Sequence, residues 1–215
     1  MIPLVHDLSG ETILVFGGGP VGARKARRFA RETRTVVVSP EFADCDFGDA
    51  ELVRASPAPD DIDEWFARFA PALAVAATSD VDVNDAVVEA AKTRGALVNR
   101  ADRSGEREAG SVVVPATVDD GDVSVAITTG GSSPALSKYL RERIEDELDG
   151  AGAMAELTAN LRAELKESDR TPAERRDAIR AVVRDPSVWK ALRSADTNPR
   201  REAARVIRNT KRGDS

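Results

Sequence analysis

Short apolar runs and amphipathic stretches alternate along the first hundred residues of this chain. Glu11-Thr12-Ile13-Leu14-Val15-Phe16 is nearly all apolar and stops at glycines, the pattern of a strand covered on both faces. Ala23 to Glu32 then has helical spacing, with Ala26, Phe29 and Ala30 on one face and the basic residues mostly on others. Thr35-Val36-Val37-Val38 reads as a second strand, closed by Ser39-Pro40. Residues 52–54 are expected to form a short third strand, and Asp60 to Phe69 a helix with Ile62, Trp65, Phe66 and Phe69 inward. Leu73 to Ala77 is a fourth strand, Val83 to Arg94 a helix stopped by Gly95, and Ala96 to Asn99 a fifth strand. Strands and helices alternating in this way build a doubly wound parallel sheet.

The pattern changes after Asn99. Residues 100–110 read as a polar loop, and Ser111–Ala116 and Val123–Thr128 as two strands about a turn at Asp119-Asp120-Gly121-Asp122. Pro134 to Leu148 carries Leu136, Leu140, Ile144 and Leu148 at steps of four, an amphipathic helix that Gly150-Ala151-Gly152 breaks. Beyond it, Thr171-Pro172, Asp185-Pro186 and Asn198-Pro199 punctuate three or four helical stretches. The expected class is α/β: a Rossmann-type doubly wound sheet over residues 1–110, a small α+β region over 111–149, and a helical region over 150–215.

Gly17-x-Gly19-x-x-Gly22 falls between the first strand and the first helix. There the first glycine permits a tight turn, the second lets backbone approach a pyrophosphate, and the third lets helix and strand pack closely. The helix N-terminus offers unpaired N–H groups and a positive dipole end to phosphate. An NAD site usually has an acid at the end of the second strand; here Glu41 comes two places late, after Pro40. No basic residue stands beside it to favour the 2′-phosphorylated cofactor, so NAD is preferred. Thr78-Ser79-Asp80 ends the fourth strand, where open α/β sheets bind ligands, although Ser and Asp equally suit a helix N-cap. Asn99 and Asp102 lie just past the fifth strand, beside the same crevice.

Composition narrows the chemistry. Of 215 residues 41% are hydrophobic, which excludes wholesale disorder, and no run approaches the roughly 18–20 apolar residues of a membrane span. Neither a secretory signal nor a metal centre of several cysteines or histidines is expected, since the chain has one cysteine, Cys45, and one histidine, His6. The lone thiol fits a reducing cytoplasm. Its acidic neighbours Asp44 and Asp46 argue against a nucleophile. Net charge is −6, but residues 150–215 hold 15 Lys and Arg against 10 Asp and Glu, which leaves −11 on the rest. A basic module on an acidic body points to a local anionic ligand rather than general nucleic-acid affinity; a solvated helical face is the plainer alternative.

The chain resembles the precorrin-2 dehydrogenase / sirohydrochlorin ferrochelatase family, which includes the N-terminal module of sirohaem synthases. The matching segments run in order: Asp7-Leu8-x-Gly10, Gly17 to Ala26, Ala76 to Asp80 with Asn84, Asn99-x-x-Asp102, Ser111 to Ala116, and Thr128-Thr129-Gly130-Gly131-Ser132-Ser133-Pro134 with the helix after it. The resemblance implies NAD-dependent conversion of precorrin-2 to sirohydrochlorin, often with insertion of ferrous iron, by a homodimer built from the region after the Rossmann domain. It implies that the helical region helps enclose the site, and that arginines of that region or of the loop after Asn99 match the substrate's acetate and propionate groups. By the same resemblance Asp102 is tied to catalysis, Pro20, Val21, Pro40 and Glu41 contact NAD, and Asn99, Thr128, Thr129, Gly130 and Ser132 lie on the substrate. Two features depart from the family pattern: the loop from Asp102 to Ser111 is longer, and Arg100 stands where an apolar residue is common. No methyltransferase module follows, so precorrin-2 is expected from another source. Two rivals remain at this stage, an NAD-sensing regulatory domain without catalysis and a chelatase whose NAD site is vestigial.

Overall fold

The computed structural model describes residues 3–102, 111–194 and 196–210. The chain divides into two compact units, Met1–Val114 and Pro115–Ser215.

The first unit holds β1 (Thr12–Phe16), α1 (Pro20–Phe29), β2 (Arg34–Ser39), β3 (Glu51–Arg54), α2 (Ile62–Phe69), β4 (Leu73–Ala76), α3 (Val81–Arg94) and β5 (Leu97–Arg100). A single 3₁₀ turn, Pro59–Asp61, leads into α2, so the helix expected from Asp60 begins two residues later. The five strands are parallel in the order β3-β2-β1-β4-β5. Ile13, Val15, Val37 and Val75 pack against Ala23 and Ala26 of α1 on one face. On the other, Leu14, Phe16, Val36 and Val38 pack with Ile62 and Phe66 of α2 and Val87 and Val88 of α3. Both faces are covered, which explains why β1, β2 and β4 are apolar through their middles, while β3 at the sheet edge is largely exposed. Successive strands step outward from β1 to β3, and the chain then returns to lay β4 on the other side of β1. The crevice at the carboxyl ends of β1 and β4 is the switch point where such sheets take their ligands.

The strand expected from Ser111 begins instead at Ala116. Ser111 joins Val98 in an isolated parallel bridge rather than a strand ladder, and the Val112 carbonyl is taken by the Asn99 side chain. Pro115, with no N–H to give a ladder, ends that extension of the first unit.

In the second unit β6 (Ala116–Asp120) and β7 (Val123–Ile127) form an antiparallel hairpin, its two-residue turn opened by Gly121 at φ 54°. The helices α4 (Pro134–Leu148), α5 (Ala151–Lys166), α6 (Pro172–Arg184), α7 (Pro186–Arg193) and α8 (Pro199–Thr210) follow. Met154, Leu161, Leu165, Ile179, Val182, Val188 and Val206 make a core for α5 to α8. Pro134, Pro172, Pro186 and Pro199 each open a helix, where the missing N–H costs nothing. Thr171 and Glu174 complete a capping box on α6. By contrast α4 buries no residue, and Leu136 and Tyr139 are 47% and 57% exposed. Among the described residues no helix is long and apolar enough to cross a membrane.

Candidate active site

The glycine turn leaves β1 with Gly17 at φ 120°, a conformation L side chains rarely adopt, and a Cβ there would strike the Ala77 carbonyl. At Gly22 a Cβ would strike the Gly17 carbonyl, so this glycine lets α1 close onto its own turn. Gly18, which the dinucleotide pattern leaves unspecified, is equally constrained, because a Cβ would meet the Glu41 carbonyl and the side chains of Ser39 and Phe42. Gly19 differs. Its backbone is extended, at φ −78° and ψ −179°, and the space its Cβ would fill is open. That opening lies at the N-cap of α1, which has no side-chain cap and no acid in its first turn. The first N–H groups of the helix are left without side-chain acceptors, as a pyrophosphate site requires. Pro20 and Val21 are exposed beside it, and the residues present fit a dinucleotide.

Pro40 and Glu41 are exposed at the end of β2. Beside them, contrary to the expectation that no basic residue stands near Glu41, is Arg54, which comes from the neighbouring strand β3. It pairs in register with Ser39 across β2 and β3, donates to the Pro40 carbonyl at 2.9 Å and lies over the Phe42 ring.

At the end of β4, Thr78 and the buried Asn84 clamp one another. The Thr78 N–H and hydroxyl donate to Asn84 Oδ1 at 3.1 and 2.8 Å, and Asn84 Nδ2 returns to the Thr78 carbonyl at 3.0 Å. Asp80 caps α3 by accepting from the N–H groups of Asp82 and Val83. The capping alternative thus holds for Asp80, Thr78 is engaged within the protein, and Ser79 is exposed beside them.

Past β5 the side chains become ionic. Arg100 grips Asp102 with a two-pronged fork, Nε to Oδ1 at 2.8 Å and Nη2 to Oδ2 at 3.0 Å, while its remaining nitrogen pairs with Asp85 of α3. The Arg100 and Asp102 side chains keep only 11% and 16% of their exposure. Burial pushes the Asp102 carboxyl up, but the Arg100 fork, a backbone N–H and Asn84 outweigh it and hold the group below the usual carboxylate value. The two flanking carboxylates push the Arg100 guanidinium up, so both partners stay charged. Neighbouring Asn99 is buried, its amide orientation set by Nδ2 donating to the Val112 carbonyl at 2.8 Å. Among the described residues Asn99 Oδ1 has no hydrogen-bond partner, an unsatisfied acceptor of the kind binding sites retain.

The sheet therefore brings the glycine turn, Pro40, Glu41, Thr78, Ser79, Asn99 and Asp102 to one carboxyl edge. Thr128, Thr129, Gly130 and Ser132 belong to the second unit, where they form a tight turn into α4. Ser132 donates to the Thr129 carbonyl at 2.5 Å, the Gly130 N–H to the Thr128 hydroxyl at 3.3 Å, and Ser133 caps α4. Among the described residues no three His, Cys, Asp or Glu side chains gather into a metal cage.

Known proteins match along most of this length. The family described as putative NAD(P)-binding matches residues 4–116, and that described as sirohaem biosynthesis protein, central, matches residues 120–147. A precorrin-2 dehydrogenase of Methanosarcina barkeri is 33% identical over 89% of this chain and 86% of its own length. A sirohaem synthase of Stutzerimonas stutzeri is 35% identical over 89% of this chain, which spans only 41% of that longer relative. Among solved structures, SirC, a precorrin-2 dehydrogenase, superposes with a TM-score of 0.70 over 97% of this chain and 100% of its own, at 22% identity, a likeness of fold. The chain belongs to the precorrin-2 dehydrogenase family, within the NAD(P)-binding proteins of sirohaem biosynthesis.

Proposed function

We propose that this protein oxidises precorrin-2 to sirohydrochlorin with NAD, and that Asp102 acts at the reacting end of the site. The observation that carries this reading is the placement of a held carboxylate on the same sheet edge as an open phosphate cradle, two strands away along β1-β4-β5. NAD, when bound, supplies the nicotinamide carbon that accepts a hydride from the macrocycle, and one proton is released with it. Gly19 and the first N–H groups of α1 hold the pyrophosphate. Pro40 and Glu41 border the adenosine ribose. Asn99 Oδ1 accepts from a donor on the substrate. Asp102, ionised and locked by Arg100, is a weak proton acceptor, because a base working near neutrality needs a higher affinity for protons. Its part is to set a fixed negative charge against the macrocycle and orient it. Such a carboxylate also suits ferrous iron as a substrate of the same site, since it stays charged when the metal approaches. The dimer is assembled through the hairpin and the uncovered face of α4.

The test is Asp102→Asn, which keeps shape and removes charge. Oxidation of precorrin-2 is expected to fall by ~10²-fold or more, the scale of losing a positioned polar group, while NAD affinity by calorimetry is unchanged. Near-normal oxidation would remove Asp102 from the mechanism. Loss of iron insertion in the same variant would place both reactions at one site; its retention would separate them.

A further inference from the structure

The second unit contains a groove between α5 and α6 that the dehydrogenase chemistry above does not use. It encloses about 560 Å³, within the range of small-molecule sites. Its floor is apolar: Leu165, Ile179 and Val183, the last 39% exposed although it is a valine. Its walls are basic, with Arg162 and Lys166 from α5 and Arg175, Arg176, Arg180 and Arg184 from α6, and no acid lines it. On α6 the lining recurs three and four residues apart from Pro172 to Arg184, so one face of the helix is committed to the groove.

This clustering is unusual for the chain that carries it. Acids outnumber bases, 37 to 31, and elsewhere arginines find them: Arg27 with Asp46, Arg34 with Glu51, Arg94 with Asp63, Arg141 with Glu145. Among the described residues, Arg180 is the one groove cation with such a partner, Asp177. Arg162, Lys166, Arg175, Arg176 and Arg184 have no acidic partner among the described residues. Like charges gathered over an apolar floor repel one another, and the arrangement is relieved by a ligand that brings both anions and apolar surface.

We propose that the α5–α6 groove binds a polycarboxylated tetrapyrrole, its ring on the apolar floor and its carboxylates on the arginine walls. Arginine forks suit carboxylates, and four of the six cations come from one helix, with Arg176, Arg180 and Arg184 at intervals of about one turn, ~5 Å apart along its axis. This inference rests on the tetrapyrrole chemistry proposed above, and it assigns to the helical unit a contact with the macrocycle that needs no residue of the glycine turn or of Asp102.

The experiment titrates uroporphyrin, a stable polycarboxylate porphyrin, into the full-length protein and into a variant carrying Arg175→Glu, Arg176→Glu and Arg184→Glu. Affinity is expected to fall by about 10²-fold, with NAD affinity and circular dichroism unchanged, because these side chains lie on the surface. A second variant with lysine at the same three positions should retain most of the binding, and raising salt should weaken the wild type but not the glutamate variant. Substrate and product are told apart by kinetics: a groove serving precorrin-2 raises its KM in the glutamate variant, and one serving sirohydrochlorin leaves KM alone but weakens sirohydrochlorin binding. Equal porphyrin affinity in wild type and glutamate variant overturns the groove and leaves the dehydrogenase reading standing. A wild type that binds porphyrin through these arginines yet fails to oxidise precorrin-2 overturns the dehydrogenase reading alone. Preferential capture of an acidic peptide, with no porphyrin binding, also overturns the proposal.

Discussion

At the scale of single residues, Arg100 decides what Asp102 can do. A carboxylate buried to this degree would by itself bind its proton more tightly, and the bidentate guanidinium, helped by a backbone N–H and Asn84, reverses that tendency. Because the folded value is lowered, the stability the pair contributes is present above the unfolded aspartate value of roughly 3.9 and is lost as pH falls through the folded one. Wild-type oxidation should accordingly show no acid limb from this group near neutrality. In Arg100→Gln the burial remains and the cation is gone. The Asp102 value then rises, and the acid limb of kcat/KM should move upward in pH. A profile that keeps its wild-type acid limb would show that Arg100 does not govern the carboxylate. Sequence reading marked Arg100 only as a departure from an apolar norm. Its second carboxylate partner, Asp85, lies fifteen positions earlier on α3 and comes within reach only in the folded chain.

At the scale of elements, the glycine turn shows that three residues of one motif carry separate burdens. Gly22→Val must displace the Gly17 carbonyl and should destabilise the fold itself, read as a lower Tm. A Cβ at Gly19 meets no described atom within 4 Å, and Gly19→Val asks for no unusual backbone angle. It should leave Tm and circular dichroism almost untouched while calorimetry shows NAD binding lost. If both variants bind NAD normally, the cradle is not the phosphate site. β1, β2 and β4 were legible because burial on both sheet faces makes them apolar through their middles. The segment from Ser111 was misread for the same reason: Val112, Val113 and Val114 have strand composition, but one of their carbonyls goes to a side chain and a proline follows. Arg54 was invisible as a neighbour of the ribose end, because it lies on a different strand from Pro40 and Glu41 and only lateral pairing joins them.

At the scale of the whole molecule, two units with separate cores sit on one chain, and α4 has no core to itself. Its spacing of leucines announced an apolar face, but periodicity carries no information about whether the cover is the same chain or another copy. A two-fold partner is the commonest cover for such a face. Light scattering across the micromolar range should give twice the mass of one chain, and Tyr139→Glu on the exposed face should shift the protein to the monomer without loss of NAD binding. A wild type that stays monomeric throughout would end that reading. The helices beyond α4 carry a different legacy from their sequence. Pro172, Pro186 and Pro199 open α6, α7 and α8, and each narrows the shapes available to the chain before it folds. At a position whose geometry already suits proline, that restriction is worth about 0.4–1 kcal/mol without adding a contact. Part of the helical unit's resistance to unfolding thus resides in how little freedom the denatured chain recovers, so contacts between side chains understate it.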